Sequence, residues 1–250
     1  MIFREEETVT QRKSDEMSIR SRLLREMRQG IFASSLRLPP EKELCALLGV
    51  SRTQLRDSLA QLDREGFISR CHGVGTLINR HVLAIQTRMD LEVEFMDMVR
   101  EAGFVPEAKC LGAETRGASA EVAERLHLTE GAPCLHIAKL VTADGRGAIL
   151  CQDIIDCAKI RDHCYPEDVF VQPVFYFLQR FCGLTPLMDV TSVRAVAAEK
   201  EVADVLGVPV GEPLLYMDEV DYDRDGAPIL YARQFYVDGV VRHSLVRKKF

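Results

Sequence analysis

No run of about 18 consecutive apolar residues occurs anywhere in the 250 residues, so no candidate membrane helix is present. The opening MIFREEETVT has no apolar stretch of signal-peptide length behind a basic end, and the expectation is a soluble, cytoplasmic protein with no membrane partner. Eight cysteines, Cys45, Cys71, Cys110, Cys134, Cys151, Cys157, Cys164 and Cys182, are scattered without a single CxxC pair. Cys157, His163, Cys164 and Cys182 have donor types that suit zinc or copper, which keeps a metal- or thiol-responsive protein as an alternative reading. Free cysteine more commonly behaves as a small buried hydrophobe, so the expectation is no metal and no cofactor. The patterns HExxH and GxSxG and the phosphate-binding loop are missing, and acids and histidines do not stand at a catalytic spacing; no enzyme is expected.

Charge is unevenly spread. Residues 1–80 hold 14 Lys/Arg against 11 Asp/Glu, whereas residues 81–250 hold 18 against 27, within a total of -6. A basic head on an acidic body points to a polyanion partner for the head alone. The length suits two domains, and 47% apolar residues are enough for two cores.

Residues 1–14 read as a flexible tail. From Ser18, the spacing of Ile19, Leu23, Leu24, Met27 and Ile31 predicts a first helix ending near Gly30. The two prolines of LRLPP prevent its continuation. EKELCALLGV predicts a second helix with Leu44, Leu47 and Leu48 on one face, stopped at Gly49. Ser51 with Gln54 has the spacing of a capping box, opening a third helix whose buried stripe is Leu55, Leu59 and Leu62. That stripe leaves Arg52, Thr53, Gln54, Arg56 and Asp57 clustered at the helix start. FISR, CHGVG and TLINR then predict a β-hairpin.

Residues 80–90 are expected to be a linker. Beyond it, helices are predicted at 91–102, 119–128, 173–181 and 198–206. Strands are predicted near 106–114, 133–142, 148–156, 187–197, 213–223 and 228–237. The ADG and RDG tripeptides suggest antiparallel hairpins, the strand-helix-strand-hairpin order of the two halves hints at an internal duplication, and the class is α+β.

Three segments of the head, LPPEKEL, GVSRTQLRDSL and REGFI followed by HGVGT, resemble the GntR family of bacterial transcription regulators. The resemblance runs from Ile31 through Asn79 with its spacings intact and implies a winged helix-turn-helix over residues 15–79. It implies DNA contacts by Lys42, Arg52, Gln54 and Arg56, and a minor-groove contact by His72 and Gly73 at the wing tip. Arginine suits guanine, glutamine suits adenine, and Thr53 and Lys42 suit phosphates. Pro40 stands where the family has serine, and Gln54 and Asp57 replace threonine and glutamate, which changes the expected base preference.

Residues 91–250 resemble the UTRA effector-binding domain of the HutC-like branch, through CLHIAKLVTADGRGAIL, LGVPVGEPLLYMDEVDYDRDGAPILYARQFY and HSLVRKK. The resemblance implies a chorismate lyase-like antiparallel sheet with helices, which binds a small-molecule effector and supplies the main dimer contact; the kinship to a lyase makes a lyase-like enzyme the remaining alternative. Two arginines and a glutamate that hold sugar phosphates in the family correspond here to Lys139, Val141 and Cys151. Lys139, Tyr231 and Arg233 are the candidate effector contacts. A homodimeric repressor on a near-palindromic operator, released by its effector, is the expectation.

Overall fold

The computed structural model describes residues 18–248. The expected tail 1–14 lies outside the described residues. The described chain divides into two compact units, the residues up to Asp90 together with those from Ser244 onward, and Leu91–His243.

In the first unit, α1 (Ile19–Arg28) starts where Ser18 Oγ accepts the Ser21 N–H at 3.2 Å, and it buries Leu23 and Met27. Ile31, expected to continue this stripe, is 60% exposed because the helix has already ended. α2 (Glu41–Leu48) has no side-chain cap at Pro40 and ends on Gly49 in the left-handed region, φ 67°. Leu44 and Leu48 are buried, but Leu47, expected beside them, is 55% exposed. One residue before Leu48, it lies about 100° around the helix from it, beyond the narrow contact stripe. α3 (Arg52–Arg64) buries Leu55, Leu59 and Leu62, and the capping box is present. β1 (Ile68–Cys71) and β2 (Gly75–Ile78) pair antiparallel, so residues 72–74 form the tip.

Residues 80–90 are not a free linker. They contain α4 (Arg80–Leu83) and β3 (Thr87–Arg88), and both cluster with the first unit. Arg80 donates to the carbonyls of Met27, Phe32 and Ser35, closing the turn after α1. Arg88 is 5% exposed; it donates to the Glu65 carbonyl at 2.5 Å, pairs with Asp90 and lies 4.9 Å from the Phe67 ring centroid. The C-terminal segment also belongs here: Met89 N–H bonds the Ser244 carbonyl, Val246 packs near Gly66, and Lys248 pairs with Asp63. The expected body of 91–250 therefore ends at His243.

The second unit is built on a six-stranded antiparallel sheet in the order β4-β5-β6-β9-β8-β7. The strands are β4 (Pro106–Gly117), β5 (Pro133–Ala143), β6 (Arg146–Asp156), β7 (Met188–Ala197), β8 (Pro213–Tyr222) and β9 (Pro228–Val237). Asp144 and Gly145 both have positive φ, as a two-residue hairpin between β5 and β6 requires. One sheet face is covered by α6 (Ala120–Leu126) and α8 (Lys200–Leu206). The other carries two separate covers: α5 (Phe95–Glu101), through Met98 and Val99, and an aromatic layer of Phe170, Phe177 and Phe181 around α7 (Val174–Phe177).

The duplication hinted at by the sequence is present in the backbone. Ala118 N–H bonds Ala132 O and Gly131 N–H bonds Ala118 O; the same two bonds recur 80 residues on, between Ala198, Glu212 and Gly211. The strand order reads the same from both edges, with β6 and β9 meeting at the centre.

Candidate functional site

The capping box holds the start of α3. Ser51 Oγ accepts the Gln54 N–H at 3.3 Å, and Gln54 Oε1 accepts the Ser51 N–H at 3.1 Å. Two orphan donors of the helix terminus are thereby satisfied. Arg52, Thr53, Gln54 and Arg56 are all exposed there, as is Lys42 at the start of α2. Among the described residues, no ion pair uses Lys42, Arg52 or Arg56, while Arg20 is spent on Glu65 and Arg70 on Glu41. The Arg70–Glu41 bridge, 3.2 Å, ties the wing strand β1 to the residue beside Lys42, which puts the wing next to the start of α2. His72 and Gly73 are exposed at the wing tip, where Gly73 adopts φ 75°. The first unit thus brings all seven expected contact residues onto solvent-facing positions, with a cationic helix start and a hairpin wing.

Gln54 departs from the sequence expectation in one respect. Its Oε1 is occupied by the Ser51 N–H and by the Ser51 hydroxyl at 2.8 Å. Only its amide N–H groups remain to be offered, so the bidentate pairing with adenine, which needs both, is not open to it in this conformation.

In the second unit a cavity opens between the two covers, where α5 and α7 begin. It is lined by Glu92, Glu94, Lys139, Asp153, Glu219 and Gln234, with Phe95, Val174, Phe175 and Leu230 among its apolar walls. Strand pairing aligns Ile137, Asp153, Ala232 and Glu219 in one row and Lys139, Cys151, Gln234 and Met217 in the next. Lys139, 4% exposed, donates to the Gln172 carbonyl at 2.5 Å. Glu219 accepts from Thr191 Oγ1 at 3.0 Å; burial first, then the nearby Asp189 carboxylate, pushes its pKa up to about 7. Burial raises Asp153 as well, with Lys139 opposing.

Lys139 is the one expected effector contact that this cavity includes. Tyr231 and Arg233 are odd-numbered on β9, whereas Leu230, Ala232 and Gln234 face the cavity, so alternation carries both to the opposite face. There Tyr231 is fully buried, donates to Glu121 Oε1 at 3.0 Å and lies under the Arg125 guanidinium. Glu92, Glu94, Asp153 and Glu219 were missed by sequence reasoning. Asp153 and Glu219 are acids within strands that are otherwise mostly apolar and buried on both faces, a signal that could have singled them out without showing which face holds the cavity.

Cys157, His163, Cys164 and Cys182 are not gathered into a site. Cys182 is buried in the aromatic layer while Cys164 is exposed, and no cluster able to hold a metal ion exists among the described residues. Burial pushes Cys134 and Cys182 up to about 11, which keeps both as unreactive thiols at neutral pH.

A winged helix-turn-helix joined to an antiparallel α+β unit with an interior cavity defines a DNA-binding regulator with a sensing domain. Comparison with known proteins gives the family. The family model for bacterial regulatory proteins of the gntR family matches residues 16–78, and the model of the UTRA domain matches residues 101–238. The chain belongs to the GntR family, in the group that carries a UTRA effector-binding domain, and is a transcriptional regulator rather than an enzyme.

It is 22% identical over 220 residues to the probable fructoselysine utilization operon transcriptional repressor of Escherichia coli, covering 87% of this chain and 88% of that one. It is 26% identical over 224 residues to the probable transcriptional regulator PhnF of the same species, covering 86% and 87%. Among solved structures, the possible regulator YydK of Bacillus subtilis superimposes with a TM-score of 0.72 at 18% identity, over 91% of this chain and 99% of that one. PhnF from Mycobacterium smegmatis superimposes at 0.56 and 19% identity, over 92% and 99%; both show likeness of fold. No described helix is long and apolar enough to cross a membrane.

Proposed function

We propose that the protein is a homodimeric repressor whose α3 reads a near-palindromic operator and whose release is governed by a small molecule bound at the cavity between α5 and α7. The observation that carries the coupling is covalent. Arg88, buried and bonded to the carbonyl of Glu65 at the end of α3, stands four residues before Glu92, where the cavity lining begins. A ligand that moves Glu92–Phe95 pulls on a strand anchored at the end of the recognition helix. The ligand need only bind better to the form in which the two α3 helices are misplaced for successive major grooves.

Homodimerisation is supported by β7, a free edge of the sheet on which Met188, Val190 and Val193 are 58%, 61% and 42% exposed. An unpaired strand edge with apolar side chains is a template for a second copy. One head presents one recognition helix, and a two-fold dimer matches two half-sites.

In this reading Arg52 and Arg56 contact base edges, Lys42 and Thr53 hold phosphates, and His72 and Gly73 enter the minor groove. The test is to capture genomic fragments with the purified full chain and titrate the retained fragment and a scrambled control. Arg52→Ala is expected to cost about 1–3 kcal/mol on the retained fragment only, whereas Lys42→Ala weakens both and lowers the salt slope by about one. Equal losses for Arg52→Ala on both sequences would remove it as a base reader.

A further inference from the structure

We infer that the cavity between α5 and α7 receives the ammonium group of a small organic cation, so that the effector is an amine. This deepens the regulatory reading above and rests on it. Four carboxylates line the cavity, Glu92, Glu94, Asp153 and Glu219, against one ammonium, Lys139. Lys139 already serves a backbone carbonyl, that of Gln172. An anionic ligand, such as the sugar phosphate that the two-arginine pattern of the family would hold, finds no free cation here, because Lys139 is already engaged.

Asp153 supplies an independent observation. It is 2% exposed, its Oδ1 takes the Cys151 thiol at 3.1 Å, and its Oδ2 has no hydrogen-bond partner. A buried acceptor left unpaired costs free energy that an arriving donor recovers, and a charged donor recovers more. Asp221 repeats the pattern two residues beyond Glu219: it is 2% exposed with Oδ2 unpartnered, and its strand neighbour is Asp189. The nearby arginines of the sheet do not neutralise this side. Arg194 and Arg233 pair across from residues of the opposite face, Arg194 with Asp218 at 3.7 Å. Acids have collected on the cavity face while guanidinium groups sit behind it.

Size points the same way. The cavity volume is about 30 Å³, room for one or two groups the size of water, which an ammonium matches. The rest of the ligand leaves past Glu92, which is exposed. A metal ion is a poor alternative, since no three donors are close enough to hold one among the described residues. The raised pKa values of Glu219, about 7, and Asp221, about 9, arise from burial first and then from neighbouring carboxylates.

Calorimetry on the full chain with three probes of similar shape and different charge, n-butylammonium, 1-butanol and butyrate, tests the inference. Butylammonium should bind, the alcohol and the carboxylate should not, and Asp153→Asn or Glu219→Gln should weaken butylammonium at least about tenfold. In the unaltered protein, binding near pH 7 should release protons, read as a dependence of the heat on buffer, because a cation favours the ionised carboxylates. That readout survives if a variant fails to fold. Equal binding of 1-butanol, preference for butyrate, or no saturable butylammonium binding overturns the inference. Butylammonium that binds in this way yet leaves operator affinity unchanged supports the cation site and contradicts the regulatory reading on which it rests.

Discussion

At the scale of single residues, Gln54 has two tasks that a substitution can separate. Its Oε1 completes the capping box, and its amide N–H groups make no hydrogen bond among the described residues. Gln54→Glu keeps the acceptor that caps Ser51 and removes the donors. The melting midpoint should hold, because an acidic residue in the first turn suits the helix dipole, while operator affinity should fall by about 0.5–1.5 kcal/mol, the worth of one hydrogen bond. Thermal melts beside binding titrations check both; undiminished affinity would show that Gln54 does not face a base. Asp221 gives a pH prediction. Glu219, Asp189, Glu92 and Asp153 are the charged groups around it, and burial with their repulsion raises its pKa from 3.8 to about 9. The folded chain keeps this proton while the unfolded chain loses it, so its contribution to stability falls as pH rises from about 4 to about 9. Asp221→Asn should therefore raise the melting midpoint more at pH 8 than at pH 5, by about 2–4 °C for each kcal/mol recovered. A larger gain at pH 5 would contradict it. The head residues were legible because a capping box and a buried leucine stripe fix which side chains point outward. Tyr231 and Arg233 were not, because sequence shows that they share a face without showing which face has the cavity.

At the scale of elements, the repeat brings a strand against a helix end at Gly147. A Cβ on Gly147 of β6 would stand 2.3 Å from the Leu206 carbonyl oxygen at the end of α8. That neighbour is backbone, so Gly147→Ala must push α8 off the sheet, and a loss of about 1–3 kcal/mol or more is expected. Gly112 in β4 meets nothing within 4 Å and has ordinary φ, so Gly112→Ala is the control, with little change in denaturant midpoint. Similar midpoints for the two variants would show that α8 does not rest on Gly147. The strands were readable because their alternation and the ADG and RDG turns are local signals. β3 was not: Thr87 and Arg88 gain their order from Glu65 and from the returning Ser244, and no window of sequence contains that partner. The aromatic layer was partly hidden for a similar reason, since Phe170 sits in a short 3₁₀ turn with no period to follow.

At the scale of the whole molecule, the account needs two copies and a link between ligand and DNA. Val190→Lys places a charge on the exposed β7 edge and should shift the full chain from dimer toward monomer in light scattering, with its melting midpoint little changed. A persistent dimer would move the interface elsewhere. The basic head and acidic body were visible in charge alone, and the assignment of DNA to the head follows from it. The acidity of the body gains a more local meaning in the cavity, where Glu92, Glu94, Asp153 and Glu219 outnumber Lys139. The most direct measurement titrates the captured operator fragment with the full chain, with and without each small molecule that raises its melting midpoint. The account predicts that at least one such ligand weakens operator binding by about 5- to 150-fold, and that operator DNA weakens that ligand by the same factor. If every stabilising ligand leaves operator affinity unchanged, the second unit is not a sensor.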